Sequence, residues 1–289
     1  MVSQGWIDSQ GQLFGVVHRP NEYELKNTNY KSPVGVILMA GFSLSMCDVD
    51  YFMSKLARHL AKNGSLVLQI DPYGHGDSEG NLEDVTVDTL RRDINTAIEY
   101  VRSQGIDKLY CAGRGLNATL MAEYVNTSKV NGVAGIAPYC LNADQVLNIW
   151  HKTKCGIYDC ADIIAGRDYR NATDFEEDKL SFFYALGVRI RNLHGQKISA
   201  KIFEGLMRYE VKETILKSTH NSCWLFYDKN GTENQQIHQW QPTEKDIYLS
   251  LDTYMHNGFR RDPLWQHNVM QKICMWITEH SQCDVTWEA

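Results

Sequence analysis

Long apolar runs, paired cysteines, basic stripes and cofactor signatures are all missing from this chain, and each absence removes a class of function. No stretch of the 289 residues approaches the ~18 uninterrupted apolar positions that a membrane span requires. The opening Met1-Val-Ser-Gln-Gly-Trp-Ile-Asp8 has no basic segment leading into an apolar one. The expectation is a cytoplasmic protein with no membrane span. The eight cysteines (47, 111, 140, 155, 160, 223, 274 and 283) show no C-x-x-C spacing, and several sit in apolar runs, so reduced, buried thiols are expected. Cys155 and Cys160 lie five apart, which suits a metal or a disulfide only weakly. Net charge is −6 with Lys and Arg scattered, so no footprint for nucleic acid exists. There is no Walker loop, no G-x-G-x-x-G after a first strand and no H-E-x-x-H, so no metal, nucleotide, flavin or other cofactor is expected.

What is present is a core. Hydrophobic residues make up 43% of the chain, enough for one large domain or for one domain carrying an insertion. Residues 6–20 suggest two strands around Ser9-Gln10-Gly11, and 21–33 a polar stretch. Val34-Gly-Val-Ile-Leu-Met-Ala40 is a continuous apolar run of the kind a strand buried on both faces shows. Tyr51, Phe52, Leu56, Leu60 and Ala61 then fall at helical spacing over 48–62, with Asp48 or Asp50 as the expected N-cap and Asn63-Gly64 as the stop.

Alternation continues with strand 65–70, helix 86–104, strand 108–112, a glycine turn, a third helix and strand 130–137. Strand and helix in turn from 34 to about 138 predict an α/β fold, a mostly parallel sheet with helices on both faces. Residues 141–219 break the rhythm with irregular helical segments such as 176–192 and 198–217. They read as an inserted helical cap between a first core part, 1–140, and a second, 220–289. The second part offers strand 223–227, a polar loop and helix, strand 247–251 and a terminal helix at 264–280.

Four segments carry chemistry. Asp71-Pro-Tyr-Gly-His-Gly-Asp-Ser-Glu-Gly80 is a glycine-rich loop after a buried strand. Met39-Ala40-Gly41-Phe42-Ser43 is a turn after another, and Gly113-Arg114-Gly115-Leu116-Asn117 joins a strand to a helix. Tyr254-Met-His256-Asn-Gly-Phe259 lies between the last expected strand and the terminal helix. Taken together these segments resemble the α/β-hydrolase superfamily, in particular its monoglyceride-lipase-like, serine-aminopeptidase-like and exosortase-associated branch, over residues 6–140 and 220–280. The first is similar to that family's D-x-R-G-x-G-x-S-x-G loop, in which His75 is a loop residue and not a catalyst.

The resemblance implies the remaining roles. The turn after strand 34–40 matches H-G-x with Ala40 in place of histidine, and the N–H groups of Phe42 and Leu116 are the expected oxyanion donors. His256 matches the general base. Its acid partner is expected in the loop after 223–227, where Gly231 holds the aligned position and Asp228 and Glu233 are the nearby carboxylates, with Asp144 a further option. Gly115 holds the nucleophile position of G-x-S-x-G. Glycine is comfortable at that strained apex but supplies no attacking oxygen or sulfur, so no acyl-enzyme can form through residue 115.

Three accounts of Gly115 stay open on the sequence: natural loss in a non-catalytic relative, an inactivating substitution, or chemistry in which His256 activates water or a substrate proton directly. The functional readings are an ester, thioester or amide hydrolase or acyltransferase type with a degenerate elbow, by natural loss or inactivating substitution, a non-catalytic ligand- or partner-binding relative, and a cofactor-free lyase or transferase that uses His256 as base. Arg114, Ser43 and Tyr139 are candidate substrate contacts. Aromatic residues of the cap, Trp150, Phe182, Phe183 and Phe203 among them, fit a small-molecule acyl or otherwise hydrophobic substrate. No oligomeric state is fixed; a homodimer is compatible.

Overall fold

The apolar run at 34–39 becomes the centre of the sheet because both of its faces are covered. In the computed structural model, which describes residues 1–27, 33–42, 44–136, 138, 211–226, 238–240 and 263–282, this strand, β3 (Val34–Met39), is buried along its whole length. Val34, Val36 and Leu38 pack on one side with helices α2 (Phe52–Lys62) and α6 (Pro263–Gln282), while Ile37 and Met39 pack on the other with α3 (Val87–Ser103) and α4 (Leu116–Asn126). Ile215 of α5 (Val211–Ser218) joins the second cluster. The alternation of side chains along a strand thus divides one run of residues between two cores.

Eight strands form one sheet. The others are β1 (Val2–Trp6), β2 (Phe14–His18), β4 (Ser65–Asp71), β5 (Lys108–Arg114), β6 (Gly132–Ile136), β7 (Ser222–Phe226) and β8 (His238–Trp240), in the spatial order β1-β2-β4-β3-β5-β6-β7-β8. The five strands from β4 to β7 run parallel; β1, β2 and β8 are joined antiparallel at the two sides. Met39 at the end of β3 is level with Ile70 of β4 and Gly113 of β5. The turns after these three strands therefore emerge side by side at the carboxyl edge, where sheets of this kind bind ligands.

The α/β reading stands, with local corrections. The first strand of the hairpin lies at 2–6, ahead of the expected position, and the polar stretch contains a short helix, α1 (Glu22–Lys26), closed by an Asn21–Glu24 capping box. Helix α2 starts at Phe52 after a 3₁₀ turn, and neither Asp48 nor Asp50 caps it. Tyr51 holds the N-cap position, with no side-chain cap, and Asp48, Asp50 and Tyr51 all have left-handed φ, at 59°, 52° and 59°. Strand β8 is a pairing that the polar run around it did not suggest. The expected strand 247–251, and most of the cap 141–219, lie outside the described residues.

Cys111, Cys223 and Cys274 are free and buried, and burial pushes the first two thiols up to about 12. Among the described residues no helix is long and apolar enough to cross a membrane.

Candidate active site

Strand β5 ends at Arg114 and helix α4 begins at Leu116, leaving one residue to reverse the chain. That residue, Gly115, has φ 57° and ψ −132°. Side chains on an L-residue clash with the backbone in that region, so glycine removes strain that any other residue would store. The turn is fixed from both sides. Gly115 N–H donates to the Ile136 carbonyl of β6 at 3.1 Å, and Gly115 O accepts from the Thr119 N–H at 3.4 Å and hydroxyl at 3.3 Å. The result is a sharp strand-to-helix elbow whose apex carries no side chain.

Beside it, the chain leaves β3 through a second turn. Asn117, in the first turn of α4, donates from Nδ2 to the Ala40 carbonyl at 2.7 Å, and Gly41 O accepts from Leu44 N–H at 3.0 Å. Phe42 is fully buried, with its ring edge-on to His75 at 5.3 Å. Among the described residues no acceptor is paired with the N–H of Phe42 or of Leu116. A third link crosses the same gap: Arg114 Nη1 donates to Asp48 Oδ1 at 2.7 Å, in a pair whose side chains are 9% and 0% exposed. Sequence reading missed this partner, placing Asp48 at a helix cap; no local signal connects two residues 66 positions apart.

The loop after β4 is built around a carboxylate. Asp71 Oδ1 accepts from Met46 N–H at 2.5 Å and Oδ2 from Asp77 N–H at 2.9 Å. Burial raises the Asp71 carboxyl above the usual range, against the pull of those two N–H groups. Ser78 accepts from Phe14 N–H at 2.8 Å and donates to the Asp71 carbonyl, stitching the loop to β2. At Gly76, φ is 50° and a Cβ would sit 2.0 Å from Asp71 Oδ2. His75 is buried with Nδ1 3.0 Å from the Tyr73 carbonyl, and desolvation pushes its imidazole down to about 4. Gln69 Nε2 donates to Met46 O at 3.1 Å, and its Oε1 lies 2.9 Å from His18 Nε2. The segment following the turn at 40–42 is thereby tied to β4 and β2 as well as to the elbow.

Comparison with known proteins agrees with this fold. Residues 37–159 match the family model Hydrolase_4, serine aminopeptidase, S33. The chain superposes on ferulic-acid-bound Est1E from Butyrivibrio proteoclasticus with a TM-score of 0.58 at 16% identity, over 94% of this chain and 98% of that one. It superposes on a monoacylglycerol lipase from Paleococcus ferrophilus with a TM-score of 0.53 at 18% identity, over 93% and 99%.

The chain has the α/β-hydrolase fold.

In sequence it is also 28% identical over 121 residues to an acyl transferase from Photobacterium leiognathi, which is 40% of this chain and 37% of that protein. The chain thus spans little more than a third of the length of that curated relative. Within the α/β-hydrolase frame, Gly115, Arg114, Phe42 and Leu116 meet at the carboxyl edge of β3 and β5. His256, Asp228, Glu233, Ser43 and Tyr139 lie outside the described residues, as do Asp144 and Gly231. Among the described residues no group of three or more His, Cys, Asp or Glu side chains could hold a metal ion. The residue the sequence reading passed over most completely is Asn117, named there only as part of the turn; its burial and its bond to Ala40 depend on the packing of α4 against the end of β3, which no local signal announces.

Proposed function

We propose that this chain binds an acyl ester, thioester or amide in an acyl-transfer site of hydrolase or acyltransferase type from which the attacking atom is missing. One observation carries the reading: the elbow at 113–117 keeps its reversal at Gly115 while two N–H groups, Phe42 and Leu116, have no acceptor among the described residues. Donors preorganised around the place where an oxyanion develops are the part of acyl-transfer catalysis that the backbone alone can supply. The nucleophile is the part that it cannot. The similar proteins support the substrate class, since their names refer to ferulic acid, a monoacylglycerol and acyl transfer.

In this reading His256 is the base and Asp228 or Glu233 its carboxylate partner. Arg114, already paired with Asp48, orients a polar group of the ligand together with Ser43 and Tyr139. In this reading the cap over a small, hydrophobic acyl ligand comes from 141–219, whose last helix, α5, packs with the core, and the core itself from 1–140 and 220–289. In this reading the protein acts in the cytoplasm. No metal or other cofactor enters the scheme.

Hydrolysis of p-nitrophenyl esters by the natural chain and by Gly115→Ser tests the reading. Turnover in the serine variant alone marks an intact site lacking its nucleophile. No turnover in either, with no binding of the ester, contradicts it. Proton-transfer or elimination activity in the natural chain that disappears in His256→Ala assigns the lyase or transferase chemistry instead.

A further inference from the structure

The last position of the elbow motif is where this chain departs from glycine to a side chain with hydrogen-bonding groups. Asn117 is only 1% exposed, although it stands in the first turn of a helix. Asparagine near a helix start ordinarily turns back onto local backbone or out to water. Here Nδ2 reaches out of its own helix to the carbonyl of Ala40, 77 residues earlier in the chain, and Oδ1 is buried with no partner among the described residues. Leaving an amide oxygen unsatisfied is costly, and the packing of the whole junction offsets it.

The bond falls at a sensitive place. The Ala40 carbonyl and the Gly41 N–H belong to one planar peptide, and the Gly41 carbonyl and the Phe42 N–H to the next. The first plane is held by Asn117 and the second by Leu44 N–H. Between the two lies Gly41, the residue with the greatest backbone freedom. Two fixed planes around a free hinge give the Phe42 N–H one direction; releasing the first plane returns that freedom.

We propose that Asn117 is a positioning residue that, through the Ala40 carbonyl, aims the Phe42 N–H into the oxyanion site. The inference rests on the acyl-transfer reading for the role of Phe42, and on the Asn117–Ala40 bond alone for the tether. Asn117→Ala and Asn117→Gly are placed in the Gly115→Ser chain and assayed with p-nitrophenyl butyrate. A donor that matters in the transition state changes kcat and leaves KM nearly alone. The expected loss in kcat is about 10- to 100-fold, below the effect of deleting an oxyanion donor outright. In parallel, hydrogen–deuterium exchange of the natural chain and its Asn117→Ala variant reads the segment 40–44, expected to exchange roughly 10-fold faster, with 71–80 unchanged.

Equal or higher kcat with glycine at 117 overturns the proposal, as does unchanged exchange at 40–44 or an increase spread equally over the whole chain. If Gly115→Ser is inactive while 40–44 still exchanges faster in Asn117→Ala, the tether stands and the oxyanion role falls together with the acyl-transfer reading.

Discussion

Two turns at the same edge of the sheet have fared differently. The loop 71–80 keeps its glycines, its buried carboxylate and its serine stitch, and each has an identifiable mechanical task. The elbow 113–117 reverses the chain at Gly115, which has no side chain, and ties itself to the neighbouring turn through Asn117 and the Ala40 carbonyl. The difference separates two kinds of constraint. In the loop buried side chains hold the backbone in place, whereas the apex of the elbow is held by the bonds of its own peptide groups to Ile136 and Thr119.

The sharpest test of that contrast is Gly76→Ala. Its Cβ would displace a carboxylate that accepts two backbone N–H groups, in a left-handed conformation, and we expect a loss of about 4 kcal/mol in urea unfolding. A loss under about 1 kcal/mol would show that the loop is not the rigid partner in the comparison.

Arg114→Met comes next, because it leaves Asp48 buried opposite an apolar side chain, at a cost of about 3 kcal/mol. Adding Asp48→Asn to that variant is expected to recover at least ~1 kcal/mol, measured as a double-mutant cycle. Full additivity of the two single effects would contradict a direct pairing.

A smaller effect lies in pH. The folded chain holds His75 neutral down to about 4, while the unfolded chain takes up a proton near the ordinary 6.5. Stability from this group is therefore complete above about 6.5 and lost progressively as pH falls toward 4, by roughly 2 kcal/mol at pH 4.5. Asp71 and Asp93, lifted by burial, take up protons earlier in the folded state and offset part of the loss. Unfolding at pH 7 and pH 4.5 of the natural chain and His75→Gln separates the contributions, the variant being flatter. An identical slope in both would remove His75 from the account.

Least costly is Gly115→Ala, where the strained φ alone acts, at about 1 to 2 kcal/mol by thermal or urea unfolding. A loss equal to that of Gly76→Ala would erase the distinction between loop and elbow.

What could be read from the sequence follows the range of each interaction. Helix α3 runs from Val87 to Ser103 against an expected 86–104 because apolar spacing and the Thr86 cap are both local. The elbow was placed by five adjacent residues. Asp48 was misassigned because its partner Arg114 is brought near only by the parallel pairing of β3 with β5, which also carries Asn117 to Ala40. Strand β8 follows from pairing with β7 and has no periodicity of its own to announce it.

Covalent labelling tests the central claim most directly. The natural chain and Gly115→Ser are incubated with a fluorophosphonate and their peptides mapped by mass spectrometry. The account predicts an adduct on residue 115 of the serine variant and none on the natural chain. A labelled residue in the natural chain, or an unlabelled serine in a folded variant, would contradict a site that lacks only its attacking atom.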